Sequence, residues 1–121
     1  DYKDLLKDFP KDIDYLQVDC DPPGVTYDIL LKIPFDDYRF AVITYEHDYY
    51  LDQTKSYRDL SRKYLENKGY ILICGNIAPD NWRVYEDWWV NPDLVSIDII
   101  NKMKRWSEDT ISGENYILSG E

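Results

Sequence analysis

The chain is short of cations. Its 14 Lys and Arg residues face 24 Asp and Glu, which gives a formal net charge of -10 and an isoelectric point near 4.4. Phosphate backbones are held by clustered Lys and Arg, so nucleic acid is not an expected partner. An anionic membrane surface is disfavoured for the same reason. The acidity otherwise reads as solubility. His47 is the only histidine, and Cys20 and Cys74 are the only cysteines. Both cysteines sit in apolar runs, where a small buried thiol is the usual state, and two of them make neither a disulfide framework nor a zinc site. No apolar run approaches the ~20 residues needed to span a bilayer. No secretory signal is visible at the start, which makes the cytoplasm the expected compartment. The five glycines include no pair near a G-x-G spacing, so the turn that cradles a dinucleotide or similar cofactor is missing. The first residue is Asp1 and the only methionine is Met103, so a processed, trimmed or fragmentary chain is expected.

A hydrophobic content of 44% over 121 residues suits a single domain spanning residues 1–121. A short amphipathic stretch at 2–8 is stopped by Pro10. Ile13 to Val18 reads as a strand, and Pro22-Pro23-Gly24 punctuates the chain after it. A helix follows over 25–33, with Thr26 as a possible N-cap and Ile29, Leu30 and Ile33 at helical spacing. Phe40 to Tyr45 is a second strand, nearly continuous in apolar and β-branched residues, as a strand buried on both faces should be. The clearest helix spans 54–68. Thr54 or Ser56 caps it, Tyr57, Leu60, Ser61, Tyr64 and Leu65 share a face, and Gly69 fits the left-handed position beyond its end. Its Lys55, Arg58, Arg62 and Lys63 read as a solvated basic face. Strands are expected at 70–74 and 84–90 with a turn at 78–83 between them, and a last helix at 94–106 places Ile97, Ile100 and Met103 on one face. The tail carries a short apolar run from Tyr116 to Leu118.

Alternating strands and helices predict an α/β fold with right-handed crossovers. The last two strands are joined by a connection short enough for a hairpin. The expected architecture is three-layered, with helices flanking a mostly parallel four-stranded sheet whose final strand is antiparallel and at an edge.

Both early strands end in ionisable residues. Val18 leads into Asp19, Cys20 and Asp21, and Tyr45 leads into Glu46, His47 and Asp48. In a parallel α/β sheet, ligands bind outside the carboxyl ends of the strands. Asp19 and Asp21 lie two apart and would share one side of an extended backbone. Three readings stay open for this cluster. It caps and solvates loops, it removes a proton from a substrate hydroxyl through His47 or an aspartate, or it holds a divalent cation through hard oxygens. Trp82, Tyr85, Trp88 and Trp89, like Tyr45, Tyr49 and Tyr50, either cover the sheet or stack on a ring substrate.

The run from Ile13 to Asp19, the acid at Asp21, the helix holding Ile29 and Leu30, and the strand from Val42 to Glu46 resemble the FkbM-type methyltransferase family. In that family a strand ending in Asp-x-Glu-Gly precedes a helix and a strand ending in Glu. Gly69-Tyr70 before a strand, and Glu86-Asp87-Trp88 through Asn91-Pro92, are similar to the family's final stretch. The resemblance covers roughly residues 3–105 and aligns with strands four to seven of the Rossmann-like methyltransferase sheet. Asp21-Pro22 stands where the family has Glu-Gly, which alters the backbone on the substrate side.

The resemblance implies the C-terminal half of an S-adenosylmethionine-dependent O-methyltransferase. Asp19, Asp21, Glu46 and His47 would be catalytic, and Asp48, Tyr49 and Trp88 would contact a small-molecule acceptor. The half that holds S-adenosylmethionine is absent, so tight binding of that cofactor to this chain alone is not expected. The first strand would be left with an open edge. That implies a homodimer through the edge, or a partner chain supplying the missing half. The competing expectations are a non-catalytic binding or assembly module and a small divalent-metal protein.

Overall fold

The structure, a computed structural model, describes residues 1–51, 56–80 and 82–103. Four strands form one sheet: β1 (Asp12–Val18), β2 (Arg39–Glu46), β3 (Ile71–Ile77) and β4 (Glu86–Val90). Four helices accompany them: α1 (Tyr2–Leu6), α2 (Pro23–Lys32), α3 (Tyr57–Asn67) and α4 (Ile97–Met103). Among the described residues no helix is long and apolar enough to cross a membrane.

The strand order is β1-β2-β4-β3. β1 and β2 are parallel, with Val18 beside Tyr45. β4 runs antiparallel to both β2 and β3. The reversed last strand therefore forms as expected, but it lies inside the sheet and not at an edge. It separates β2 from β3, so a single pairing is parallel and the sheet is mixed, not mostly parallel. β4 seats Trp89 between Ile43 of β2 and Leu72 of β3, while β3, buried along six of its seven residues, takes the edge. β1 does occupy an edge.

The strand side chains pack on two faces of the sheet, with strict alternation broken where β3 is bulged. On one, Val18, Phe40, Ile43, Tyr45, Leu72 and Trp89 pack with Leu6 of α1, Leu30 of α2 and Leu65 of α3. On the other, Val42, Ile73 and Val90 pack with Ile100 of α4, and Cys74 and Ile77 pack with Met103. Helices thus cover both faces in three layers.

Local chemistry explains the element ends. α2 begins on Pro23, whose fixed φ and missing N–H suit the first turn. Thr26 is not its cap. It lies inside the helix, buried, and its hydroxyl donates to the Cys20 carbonyl while accepting the Cys20 N–H, tying α2 to the end of β1. Ser56 does occupy the N-cap position of α3 but makes no side-chain cap bond; Thr54 lies outside the described residues. At the other end of α3, Gly69 adopts φ 91°, its N–H donates to Glu66 and the Tyr70 N–H donates to Leu65, the paired closure of a Schellman motif. Leu60 is exposed, so the buried stripe of α3 runs through Ser61 and Leu65. β3 continues past Cys74 through Gly75 and Asn76, and its pairing with β4 is bulged at two places. α4 starts only at Ile97, because residues 92–94 turn on bonds from Asp93 and Leu94 to Asn91. Ile97 is exposed, leaving Ile100 as the buried anchor. The expected end of that helix at 104–106 and the run from Tyr116 to Leu118 lie outside the described residues.

Candidate functional site

The parallel register sets Asp19 next to Glu46 at the carboxyl edge of β1 and β2. Antiparallel pairing places Glu86, the first residue of β4, directly across from Glu46. Beyond β2 the ladder bulges, since the N–H groups of both His47 and Asp48 donate to the Tyr85 carbonyl, at 2.8 and 3.1 Å. Asp48 takes a left-handed φ of 49°. Its carboxyl group thereby turns to the side of Glu46, and Asp21 comes in from the loop after β1. One carboxylate oxygen from each of Asp21, Glu46 and Asp48 lies within 4.8 Å of the other two.

Glu46, Asp48 and Glu86 hold their protons more tightly than free carboxyl groups do. Burial raises Glu46 up to about 9, helped by hydrogen bonds to Asp19 and Asp48 and by their charge. Burial also raises Asp48, and the charges of Asp21 and Asp19 add to this, against a bond from Glu46 and the nearness of His47. Glu86 is raised by burial and by Asp19, partly offset by the Trp88 indole N–H that donates to it at 2.8 Å. At neutral pH Glu46 therefore keeps its proton. A cavity of about 300 Å³ opens beside them, walled by Glu46, Asp48, Tyr50, Pro79, Arg83 and Tyr85.

Asp19, Asp21, Glu46 and Asp48 are thus brought together, as their positions in the sequence imply. His47 is not part of that group. Its side chain is fully buried and points the other way, toward Asp87. The Tyr49 N–H donates to His47 Nδ1 at 3.1 Å, which places the ring proton on Nε2, 3.2 Å from Asp87 Oδ1 but poorly aligned with it. Tyr49 lies under the Arg58 guanidinium, 3.8 Å from its ring centre. Trp88 packs on the α4 side of the sheet, against Ile77 and Val90. Neither Tyr49 nor Trp88 lines the cavity.

A second ionic group lies within the sheet. Arg62 of α3 grips Asp87 of β4 with two parallel bonds, Nε to Oδ2 at 2.7 Å and Nη2 to Oδ1 at 2.8 Å. The Asn76 N–H donates to the same carboxylate at 3.0 Å, and the Asn76 side-chain oxygen accepts from Arg58 and Arg62. Burial by itself would raise the Asp87 carboxyl, but His47 and the Arg62 guanidinium outweigh it and hold the group well below the usual carboxylate range. Asp87 is 0% exposed and the Arg62 side chain 12%. Arg62 is therefore no part of a solvated basic face. Its place on the stripe side of α3, one residue after Ser61, was the available signal. Gly75 makes room for it, since a Cβ there would come within 2.8 Å of Arg62 Nη2.

Three hard-oxygen carboxyl groups without a nitrogen ligand suit Mg²⁺, Mn²⁺ or Ca²⁺ better than Zn²⁺. The same groups can accept a hydroxyl proton from a molecule in the cavity. No family model matches the chain, and no curated protein and no solved structure matches it.

Proposed function

We propose that this chain is the acceptor-side half of an FkbM-type, S-adenosylmethionine-dependent methyltransferase fold, and that it is inactive alone. The observation that carries the reading is where the acids stand in the sheet. β1, β2 and β3 run one way and only the final strand is reversed. The carboxyl groups gather where β1 and β2 end, the edge at which open α/β sheets bind ligands. A reversed last strand on strands four to seven is what the sequence resemblance implies. In this reading Asp48, made more basic by burial and by the charges of Asp19 and Asp21, takes the acceptor proton, and the bond from Glu46 holds its carboxyl group in place. Asp21-Pro22, in place of the family's Glu-Gly, reshapes the loop beside them. The open edge of β1, flanked by an apolar groove that includes Leu5, Leu16 and Ile29, is where a cofactor-binding half or a second copy would pair.

The test is to read and express the coding sequence upstream of Asp1. A longer product is expected to carry a G-x-G turn within ~100 residues and to bind S-adenosylmethionine in calorimetry, while the 121-residue chain does not. A reading frame that starts close to Asp1, with no cofactor binding, would leave a stand-alone binding module instead.

The convergence of Asp21, Glu46 and Asp48 favours a second reading, divalent-cation binding. Mg²⁺, Mn²⁺ or Ca²⁺ is expected to raise the melting temperature, and the rise should vanish in Asp21→Asn with Asp48→Asn. Because Glu46 must lose its proton to bind a cation, affinity should strengthen by up to about tenfold per pH unit between neutrality and about 9. A melting temperature indifferent to all three ions would remove this reading.

A further inference from the structure

The cavity beside the carboxyl cluster has walls that the cluster does not account for. Its far side is aromatic, formed by Tyr50 and Tyr85. Trp82 meets Tyr50 edge-on, ring centres 6.1 Å apart, yet remains 64% exposed. Trp82 does not line the cavity itself; it backs Tyr50 and carries the Arg83 guanidinium 5.6 Å from its ring centre. It is also held in place. Asp80 Oδ1 accepts the N–H groups of both Trp82 and Arg83, at 3.1 and 2.8 Å, and Asp80 Oδ2 accepts from Arg83 Nε at 2.6 Å. Tyr50 is fixed in turn by its N–H donating to Val84 at 3.1 Å, beside the two bonds that reach Tyr85. The walls are therefore set before any ligand arrives, which lowers the cost of binding.

We propose that this cavity binds a monosaccharide ring, so that the acceptor is a sugar hydroxyl. The inference rests on the reading of the carboxyl edge as the acceptor wall. The carboxyl groups of Glu46 and Asp48, with Arg83 and the phenols of Tyr50 and Tyr85, supply acceptors and donors for several hydroxyls of a ring. The two tyrosine rings also give the C–H surface of a pyranose apolar contact, as amphipathic rings do for a ligand with one apolar and one polar side. A volume of about 300 Å³ lies at the lower end of the range for small-molecule sites, the size of one small ring and not of an oligomer. The negative field disfavours acidic sugars and phosphates, so a neutral or amino sugar is the fitting class.

The experiment is a two-dimensional NMR titration of the 121-residue chain with methyl glycosides of glucose, galactose, mannose and glucosamine, with cyclohexanol and glycerol as controls. At least one glycoside is expected to bind saturably in the millimolar range, shifting Tyr50, Tyr85 and the Trp82 indole N–H. Trp82→Ala, at an exposed position that should not disturb folding, is expected to weaken it about five- to tenfold. Glu46→Gln tests the polar wall independently and should change which glycoside is preferred. No saturable shift from any glycoside up to about 50 mM, or cyclohexanol binding as well as the sugars, would overturn the proposal. Neither result depends on S-adenosylmethionine, so a failure here is distinct from failure of the methyltransferase reading, which is settled by the upstream sequence.

Discussion

Replacing Asp87 by Asn is expected to destabilise the fold by about 3–5 kcal/mol, because it leaves Arg62 buried without its counter-charge. The substitution barely changes the shape of the side chain, so the loss comes from charge and hydrogen bonding and not from a cavity. Asp87 accepts two bonds from Arg62 and one from the Asn76 backbone, and His47 adjoins it. An amide can accept on one atom only and would turn N–H donors toward a guanidinium. Urea unfolding would show the loss as a fall in midpoint at unchanged slope. The wild-type pair also predicts an acid limb. The folded-state value of Asp87 is depressed, so its contribution is present above the ordinary value of 3.8 and is lost as the pH falls toward the folded value. Asp87→Asn should lack that limb. A loss of under ~1 kcal/mol would mean that the ion pair does not hold the sheet to α3.

Glu46→Gln is expected to act in the opposite pH range and with the opposite sign. The folded value of Glu46, about 9, lies above its ordinary value of 4.5, so between the two the native state binds the proton and the unfolded state does not. Stability from this group is therefore complete below about 4.5 and is lost as the pH rises toward 9. Asp48 and Glu86 are raised as well and push in the same direction. Glu46 is only half-buried, so solvent screening cuts the effect to roughly 1–2 kcal/mol across the window, or several degrees of melting temperature. Calorimetry at about pH 5, 7 and 9 should show the wild-type melting temperature falling and the Gln variant falling much less. Parallel curves for the two proteins would count against a protonated Glu46.

The two predictions mark what the sequence could and could not reveal. Strands and helices were legible because their burial follows simple periods, as in Ile43 and Tyr45 of β2 or Ser61 and Leu65 of α3. The meeting of Asp19, Asp21 and Glu46 was legible too, since two parallel strands that end together must bring their next residues side by side. Sheet order was not. A hairpin announces that β3 and β4 pair, but it does not say which of them meets β2, and burial does not decide it, since the edge strand β3 is buried along more of its length than β4. The role of His47 was hidden for a related reason. Sequence places it between two acids of the site, while a single bulged residue at Asp48 decides which neighbours share its side. Arg62 was hidden because a charge on a helix face is ordinarily solvated, and only the small Gly75 opposite lets this one reach a buried partner.

The interior position of β4 also has a consequence for how the protein comes into being. Val42 pairs with Val90, and Ile43 with Trp89, across more than forty intervening residues. Until β4 exists, β2 has nothing on its inner side, and β3 has no partner at all among the described strands. A ribosome making this polypeptide thus releases a β1–β2 pair and then a stray β3 before it delivers the piece that joins them. The sheet closes in one late step, and a chain cut short just before Glu86 would hold most of the sequence and none of the completed sheet. Contacts of such long sequence separation fold slowly, so the newborn chain passes through a stage with four strand edges open at once, two on the β1–β2 pair and two on β3, the stage at which other chains or chaperones can engage it.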